Sequence, residues 1–442
     1  MSEALGLHPA RWAAEGHALA LFRLLLKLAW RSLWRNRRRT QITLASIGFG
    51  LSFAIFLGAL AEGTYDKAIR DATQLLAGQL TVETPKYNDN PGPTLSLTGA
   101  TALREALAAL PGVVRVRPIV SAQAVASSGA GAVGVGLLGL DARAEAGHSP
   151  LQPRLVAGTL LDAAEPRGVV IGVGLAKRLR LSPGKKLVLT ATDVQGNVSS
   201  ELFRVRGVFK LGSDELDTYL VQAPLPLVQK LLGLAPDQVG QLGLFVAPDE
   251  DAFGARGESL QARVARAARA LVGGGLVVRP WEETMPALSA WIAVDRKSNE
   301  VSRGLILFLV TFTILNTLLM SVLERGHEFA VLLAIGTSRR QLEAQVLLEV
   351  AMLAVLGCAF GCAVGCAAAL YGQVHGLDLS GLLPEGATAG GMALDPVIHC
   401  KLTLGSVGKL VGLVFGATLV MGLWPMRRVR AVDVATSLRT QR

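Results

Sequence analysis

The sequence predicts an α-helical membrane protein with four transmembrane helices, one plus three, and a large extracytoplasmic α+β domain between helices 1 and 2. The first observation is a set of apolar runs, each about as long as the roughly 20 residues that cross a bilayer. The second is a segment of mixed polarity, 63–302, which separates the first run from the other three. The third is the uneven distribution of a net charge of +10.

The four apolar runs define the predicted transmembrane helices. The only charged residues inside the third and fourth runs are Glu349 and Lys409. Backbone groups without hydrogen bonds are costly in lipid, so uninterrupted runs of this kind should be helical. The predicted spans are 40–62, 303–324, 344–374 and 404–425.

Basic residues cluster in three segments, 1–39, 325–343 and 426–442, whereas the link 375–403 contains only Lys401. Because short cytoplasmic segments of membrane proteins carry an excess of lysine and arginine, both termini and the segment after helix 2 are predicted to be cytoplasmic. The large domain and the link are then outside. This topology accounts for the basic excess, so nucleic-acid binding is not expected.

The N-terminal segment has the spacing of an amphipathic helix, with apolar residues on one face and basic residues every four positions on another. Such a helix should lie in the interfacial layer and contact lipid headgroups. A basic anchor that only orients the first span is the alternative. The apolar residues are Phe22, Leu25, Leu26, Ala29, Trp30, Leu33 and Trp34, and the basic ones are Arg23, Lys27, Arg31 and Arg35.

The segment 63–302 contains two stretches with the same strand, helix, strand pattern. They lie at about 75–130 and 235–285, and the residues between them, about 135–232, read as short strands with one helix. We therefore expect a porter-like part built from two β-α-β units and an inserted subdomain.

Residues that could support catalysis are scarce in this domain. Its only histidine is His148, which is interpreted as a solvated loop residue rather than as part of a Ser-His-Asp set. The domain has no cysteine, so a cluster of histidine and cysteine ligands for zinc is not expected. The GxGxxG match from Gly134 to Gly139 is not followed by a clear helix and is interpreted as a glycine-rich strand. The chain contains no GxxxxGK[ST] pattern. No enzymatic activity, metal site or cofactor is expected in this chain.

The third predicted span carries a double GxxxG pattern formed by Gly357, Gly361 and Gly365. Small residues at this spacing let another helix approach closely, so this span is predicted to be a packing helix. In the second span, Asn316 is expected to form an interhelical hydrogen bond. The third span also contains three cysteines, Cys358, Cys362 and Cys366. Metal ligation and helix packing are the two alternatives for them, and we interpret them as small packing residues.

The segment 325–343 connects the second and third spans and can form a short amphipathic helix from Glu328 to Ile335. Gly336 suits the left-handed residue that closes such a helix. Ser338 and Gln341 have the spacing of a capping box for the next helix. The segment is either a stiff lever along the membrane face or an ordinary connecting loop.

The residues from Glu324 to Leu342, ERGHEFAVLLAIGTSRRQL, resemble the coupling-helix signature of ABC transporter permeases of the MacB/FtsX superfamily. The segment from Leu28 to Thr40 and the one-plus-three layout are also similar. The resemblance implies a homo- or heterodimer of permease subunits, each bound to a separate cytoplasmic ATPase that holds ATP and Mg. It also implies mechanotransmission, in which ATP-driven closure moves the external domains.

The resemblance assigns the coupling role to Glu324, Arg325, His327, Glu328, Phe329, Val331, Leu332, Ile335 and Gly336. An apolar face formed by Phe329, Leu332 and Ile335 is expected to dock into a groove on the ATPase subunit.

Within the superfamily, the chain is most similar to the lipoprotein-releasing (LolC/LolE-type) permeases. This similarity implies extraction of lipoproteins from the bacterial inner membrane and transfer to a periplasmic acceptor. MacB-like efflux of amphiphiles and FtsX-like regulation of an external partner without transport are the alternatives. A transporter needs an apolar cavity. The candidate lining residues are Phe53, Phe56, Phe308, Phe312, Leu315 and Met320. The alternative is that these side chains only face lipid or pack against other helices.

Overall fold

The computed structural model describes Arg23 and residues 26–248, 259–381, 388–390, 392–393, 395 and 397–430. The predicted interfacial residues Phe22 and Leu25 and most of the C-terminal tail lie outside this set. The chain divides into two compact units. A helical unit comprises Met1–Gly63, Lys297–Gly376 and His399–Arg442, and an α+β unit comprises Thr64–Arg296 and Leu377–Ile398.

The helices of the described residues are α1 (26–35), α2 (Arg37–Leu75), α3 (Ala100–Ala108), α4 (Ala142–Glu145), α5 (Val173–Arg178), α6 (Asp214–Tyr219), α7 (Leu225–Leu232), α8 (Leu260–Val272), α9 (Trp281–Thr284), α10 (Pro286–Glu324), α11 (Gly326–Ala334), α12 (Arg339–His375) and α13 (Leu404–Arg430). The strands are β1 (Leu80–Glu83), β2 (Val113–Ser128), β3 (Gly131–Leu140), β4 (Leu155–Gly158), β5 (Gly168–Gly172), β6 (Lys186–Thr192), β7 (Val198–Phe209), β8 (Leu220–Pro224), β9 (Gln241–Val246), β10 (Val277–Pro280), β11 (Leu377–Asp378), β12 (Thr388–Ala389), β13 (Met392–Ala393) and β14 (Val397–Ile398).

Four helices in the described residues are long and apolar enough to cross a membrane: α2, α10, α12 and the part of α13 up to Trp424. The predicted fold class, four transmembrane helices with a large α+β domain between the first two, is confirmed. Helix α2 continues past the predicted end at residue 62, and α10 begins well before residue 303. Hydropathy misses these extensions because it detects only the length of helix that lipid covers.

The three glycines of α12 lie against α2. A Cβ atom added to Gly361 would come within 2.7 Å of the carbonyl oxygen of Gly48, and one on Gly357 would meet the side chain of Ile47. Gly365 lies in the same way against Ser52. The two backbones therefore approach more closely than any residue with a side chain would allow at these positions.

Each of these three glycines is followed directly in the sequence by a cysteine of the same helix. The Sγ atoms of Cys362 and Cys366 lie 3.7 Å apart, and Cys358 is buried in the core of the helical unit. Within the described residues, no group of three or more histidine, cysteine or acidic side chains is arranged to hold a metal ion.

The α+β unit contains a ten-stranded sheet, one end of which has the strand order β10-β1-β9-β2. All three pairings in this part are antiparallel. The units β1-α3-β2 and β9-α8-β10 therefore interleave, and β1 and β9 each lie between the two strands of the other unit. Helices α3 and α8 cover the sheet, and their apolar residues join its core.

The inserted residues close into a small barrel on the same sheet. Its strands follow the ring β2-β3-β8-β5-β7-β6 and return to β2. The first half of β2 pairs with β9, and the second half pairs with β3 and β6. Because one uninterrupted strand belongs to both parts, the barrel is continuous with the interleaved sheet. Closure also removes the free strand edges within the ring.

The last turn of α2 is held by a buried arginine of β2. The side chain of Arg117 is 1% exposed, and its Nη1 donates to the carbonyl oxygens of Gln74 (2.9 Å) and Leu76 (3.2 Å). Its Nε and Nη2 donate to the two carboxylate oxygens of Glu145, both at 2.7 Å. The guanidinium also lies 5.0 Å from the ring centroid of Phe245. A cation at a helix C-terminus satisfies carbonyls that have no partner within the helix.

We predict that replacement of Arg117 destabilises the α+β unit. Arg117→Met leaves the Glu145 carboxylate buried without its fork of donors, a change that typically costs about 3–5 kcal/mol. Arg117→Lys keeps the charge but loses the planar fork, so it should recover only part of this loss. Arg143→Met, on the exposed side of α4, is the matched control. Unfolding of the full chain in detergent measures the effect, and equal stability of all three variants would contradict it.

Candidate functional site

Helix α11 joins α10 to α12, and standard capping motifs close its C-terminus and open the next helix. At its C-terminus Gly336 has φ +105, and its amide donates to the carbonyl of Leu333, while the amide of Thr337 donates to the carbonyl of Leu332. This is a Schellman motif. The next helix begins with Ser338 and Gln341 in a complete capping box. The predicted short helix, its glycine closure and the capping box are therefore confirmed.

The inner face of α11 is buried in the helical unit itself. Phe329 is 1% exposed and packs with Val322, Leu342 and Val346, against which Leu332 and Leu333 also pack. The burial of Phe329 contradicts the expectation that this side chain presents a docking face, whereas Leu332 is half-buried and its docking role stays a prediction. Nearly every residue of this short helix is apolar, so the sequence pattern does not distinguish the side that faces α10 and α12.

The exposed side of the turn after α11 carries a different set of residues. Ile335 is 78% exposed, and Ala334, Gly336 and Arg340 are exposed beside it. Val331 is half-buried. An isoleucine this exposed, with neighbouring cations, is the apolar group of the coupling segment that a partner could reach.

Arg325, at the N-terminal end of α11, is the centre of a network of charged groups. Its Nη1 lies 2.8 Å from Oε2 of Glu349, and its Nε lies 3.3 Å from Oε2 of Glu328. Both Arg325 and Glu349 are mostly buried. The guanidinium carbon also lies 5.2 Å from the ring centroid of Phe329. Arg325 thus connects α11 to α12 and packs against Phe329, the buried side chain that anchors α11.

Three residues of α1 and α2 extend the network. Arg35 pairs with Glu328 at 2.7 Å, and Ser32 donates a hydrogen bond of 3.1 Å to Glu349. Arg39 pairs with Glu324 at 2.9 Å and donates to the carbonyl of Thr317. Helices α1, α2, α10, α11 and α12 are therefore tied together at one end of the helical unit, around a cavity of about 300 Å³.

The charge state of Glu328 depends on this network. Partial burial alone would raise the pKa of its carboxyl group, but hydrogen bonds from Arg35 and Arg325 and their charges outweigh burial and hold the pKa below its ordinary value of 4.5. The ion pairs formed by Glu328 are therefore fully present at neutral pH.

The sequence contains no pattern that identifies several residues as members of this network. Glu349 stands out only as the single charge of the third span, and charges inside a span generally have a specific partner. Arg35 and Arg39 are part of the basic N-terminal cluster, which suggests contact with lipid rather than with Glu328 and Glu324. His327 is exposed at the start of α11.

The residues predicted to line a cavity form two apolar stripes. On α10, Phe308 and Phe312 stack with ring centroids 6.3 Å apart, and both are more than 60% exposed, with Met320 exposed and Leu315 half-buried along the same helix. On α2, Phe53 is exposed and stacks with Phe49 at 6.1 Å, while Phe56 is half-buried. Asn316 is exposed among the residues of the α10 stripe.

We predict that Arg325→Met destabilises the helical unit by about 2 kcal/mol at neutral pH, since hydrogen bonds to charged groups are worth roughly 1.5–3 kcal/mol. The double variant Arg325→Met, Glu349→Met should recover part of the loss, because two apolar groups can replace a buried pair. Arg340→Met is the exposed control.

The difference between the original chain and Arg325→Met should persist down to the ordinary glutamate range and shrink as pH falls below it, because a depressed pKa stabilises only while the carboxylate is ionised. Unfolding in detergent at several pH values measures both effects. A loss that is as large in the control, or that grows with acidity, would contradict the network's role.

Comparison with known proteins adds the family. Residues 40–265, just over half of the chain, match the MacB-like periplasmic core domain, and residues 303–434 match the FtsX-like permease C-terminal domain. The chain is 25% identical to the macrolide export ATP-binding/permease protein MacB of Bartonella quintana over 94% of its length. It is 22% identical to the pyoverdine export ATP-binding/permease protein PvdT of Pseudomonas aeruginosa, again over 94%.

The chain spans about three fifths of the length of these relatives, 59% and 58% respectively. Among solved structures, the periplasmic region of MacB from Actinobacillus actinomycetemcomitans aligns with 51% of this chain and 97% of its own, at 13% identity and a TM-score of 0.35. The two family matches together cover the spans and most of the α+β unit. The chain belongs to the MacB/FtsX superfamily of ABC transporter permeases.

Proposed function

We propose that this permease converts ATP hydrolysis at one membrane face into movement of the α+β unit at the other, and thereby exports a lipid-linked or amphiphilic molecule. The observation that carries the proposal is the network around Arg325, which ties α11 to α1 and α12, with the adjoining pair of Arg39 and Glu324 between α2 and α10. A helix wedged by Phe329 and held by ion pairs cannot move alone. A displacement of α11 is therefore transmitted to the transmembrane helices.

An ATPase that docks on the exposed turn after α11 causes this displacement. Ile335 and the cation Arg340 form the surface offered to it. ATP and Mg²⁺ would be held by that ATPase, and the basic residues near α1 and α11 favour a cytoplasmic location for this side of the membrane. The relatives named above are ATP-binding/permease proteins, which agrees with such a pairing.

The path of the movement is along the long helices. Helix α2 runs without interruption from Arg37 to Leu75, so a displacement at its first turn is carried along its full length. At its far end Arg117 grips the last carbonyls of the helix and connects them to Glu145 on the barrel side of the sheet. This arrangement supports mechanotransmission rather than a channel through the chain.

The apolar stripes on α2 and α10 suggest where the cargo lies. Phe308 and Phe312 present a wide aromatic surface, and so does the stack of Phe49 and Phe53. Two permease copies, identical or different, that face each other through these stripes would enclose an apolar space. Asn316 would then form its hydrogen bond with the second copy, as the sequence leads us to expect.

Two cargo classes fit such a space. Efflux of a small amphiphile is favoured by the relatives, which are named for macrolide and pyoverdine export. Extraction of a lipoprotein, which an acceptor on the outer side would receive, is the class implied by the resemblance to the lipoprotein-releasing permeases. Each buried CH₂ of an acyl chain contributes about 0.8 kcal/mol to membrane binding, so release of such a cargo requires repeated input of work.

The test uses photo-crosslinking residues at Phe53, Phe308 and Phe312 in the assembled complex. We expect cargo adducts at all three positions without ATP and their loss after ATP is added, because the cargo leaves the stripes during export. A residue at Val364, exposed on α12, is the control and should capture lipid only.

The identity of the adduct separates the cargo classes. An acylated protein supports lipoprotein extraction, and a small amphiphile supports efflux. Lipid adducts alone at all four positions, with or without ATP, would contradict transport and favour regulation of an external partner.

A further inference from the structure

A groove lies on the face of α10 that is opposite to its aromatic stripe. It has a volume of about 370 Å³, within the range of ligand-binding pockets. Helices α10 and α13 form its walls and α2 forms its floor. The groove is lined by Gly50, Leu51, Ala54, Glu300, Arg303, Gly304, Ile306, Leu307, Val310, Ser406, Lys409, Leu410, Leu413 and Val414.

The lining changes from polar to apolar along the groove. Glu300 and Arg303 lie at one end, and Val310, ten residues further along α10, lies at the other. At 1.5 Å per residue this is about 15 Å. On α13 the change is the same, from Ser406 to Val414. A site with a charged end and an apolar end over this length has the shape of a lipid headgroup followed by part of an acyl chain.

The charged end carries an excess of positive charge, because two cations, Arg303 and Lys409, line it beside the single carboxylate of Glu300. That carboxylate pairs with Lys297 at 2.8 Å and is also within the electrostatic influence of Arg303, so Lys409 and part of the charge of Arg303 are not balanced within the described lining. Basic residues within spans are costly unless they find a partner or reach the interface. Two cations that line an apolar groove therefore favour a ligand with negative charge.

We propose that this groove binds an anionic phospholipid. Its phosphate lies between Arg303 and Lys409, and one acyl chain lies along Leu307, Leu410 and Leu413. Its charge distinguishes this occupant from a zwitterionic lipid, which would gain apolar contacts but little net electrostatic attraction. The charged end of the site is separate from the cargo stripes because Arg303 lies about 140° or more around α10 from Phe308 and Phe312. It therefore does not depend on the proposed transport function.

The glycines around the groove allow a second kind of variant. A Cβ added to Gly304, which lines the groove, meets no atom within 4 Å, so a larger side chain would occupy the groove without straining the helix. Gly412 on α13 has the same open surroundings but does not line the groove. Gly304→Leu and Gly412→Leu are thus a matched pair.

The experiment compares retention of phosphatidylglycerol and phosphatidylcholine by the full chain, extracted from vesicles that contain both and analysed by native mass spectrometry. The original chain should retain phosphatidylglycerol preferentially. Arg303→Gln and Lys409→Gln should each lower that preference about fivefold, the typical contribution of one basic residue near an anionic lipid surface. Arg143→Gln, an exposed cation of the α+β unit, is the control and should leave it unchanged.

Gly304→Leu should reduce the retained lipid of both kinds, whereas Gly412→Leu should not. Equal retention of the two lipids by the original chain would overturn the proposal, as would a preference that survives both charge variants. Lys409 is exposed, so Lys409→Gln keeps the test decisive if Arg303→Gln impairs folding. None of these measurements requires ATP, an ATPase or cargo, so a failure here is distinct from a failure of the transport proposal.

Discussion

The position of α11 depends on the guanidinium of Arg325. This group lies between Glu349 on α12 and Glu328 on α11, above the ring of Phe329. The pair with Glu349 is mostly buried, and charge pairs are stronger there than at an open surface, while removal of either partner is correspondingly expensive. Arg35 and Arg39 join α1 and α2 to this end of the helical unit through Glu328 and Glu324, so five helices are held together there.

The α+β unit uses the same physical device at the far end of α2. Arg117 satisfies two carbonyls of the helix terminus and both oxygens of Glu145 at once. The strand that carries it, β2, belongs to both the interleaved sheet and the barrel, so a displacement of the helix end is shared by both parts. An arginine that bonds more than one element at once thus stabilises each unit: Arg325 in the helical unit and Arg117 in the α+β unit.

The sequence predicts the spans, the two β-α-β units and the closure of α11, because each depends on local patterns: apolar length, strand and helix periodicity, and capping residues at fixed spacing. It does not predict that the two units interleave, because the pairing of β1 with β9 and β10 joins segments that are distant in the sequence. It does not predict which side of α11 is buried. In a short helix where apolar residues lie on every side, only contacts with α10 and α12 decide that Phe329 faces inward and Ile335 outward. The sequence also does not predict the partners of Glu349 and Arg117, because these partners are distant in the sequence and no fixed spacing relates them.

The most direct test of the mechanical account is a distance measurement across the assembled complex. With the four native cysteines replaced by serine, spin labels at Asp89→Cys in both permease copies report the separation of the α+β units. The account predicts that this distance changes between the nucleotide-free and ATP-bound complexes, and that Arg325→Met abolishes the change while ATP is still bound. An unchanged distance in a complex that hydrolyses ATP and releases cargo would contradict it.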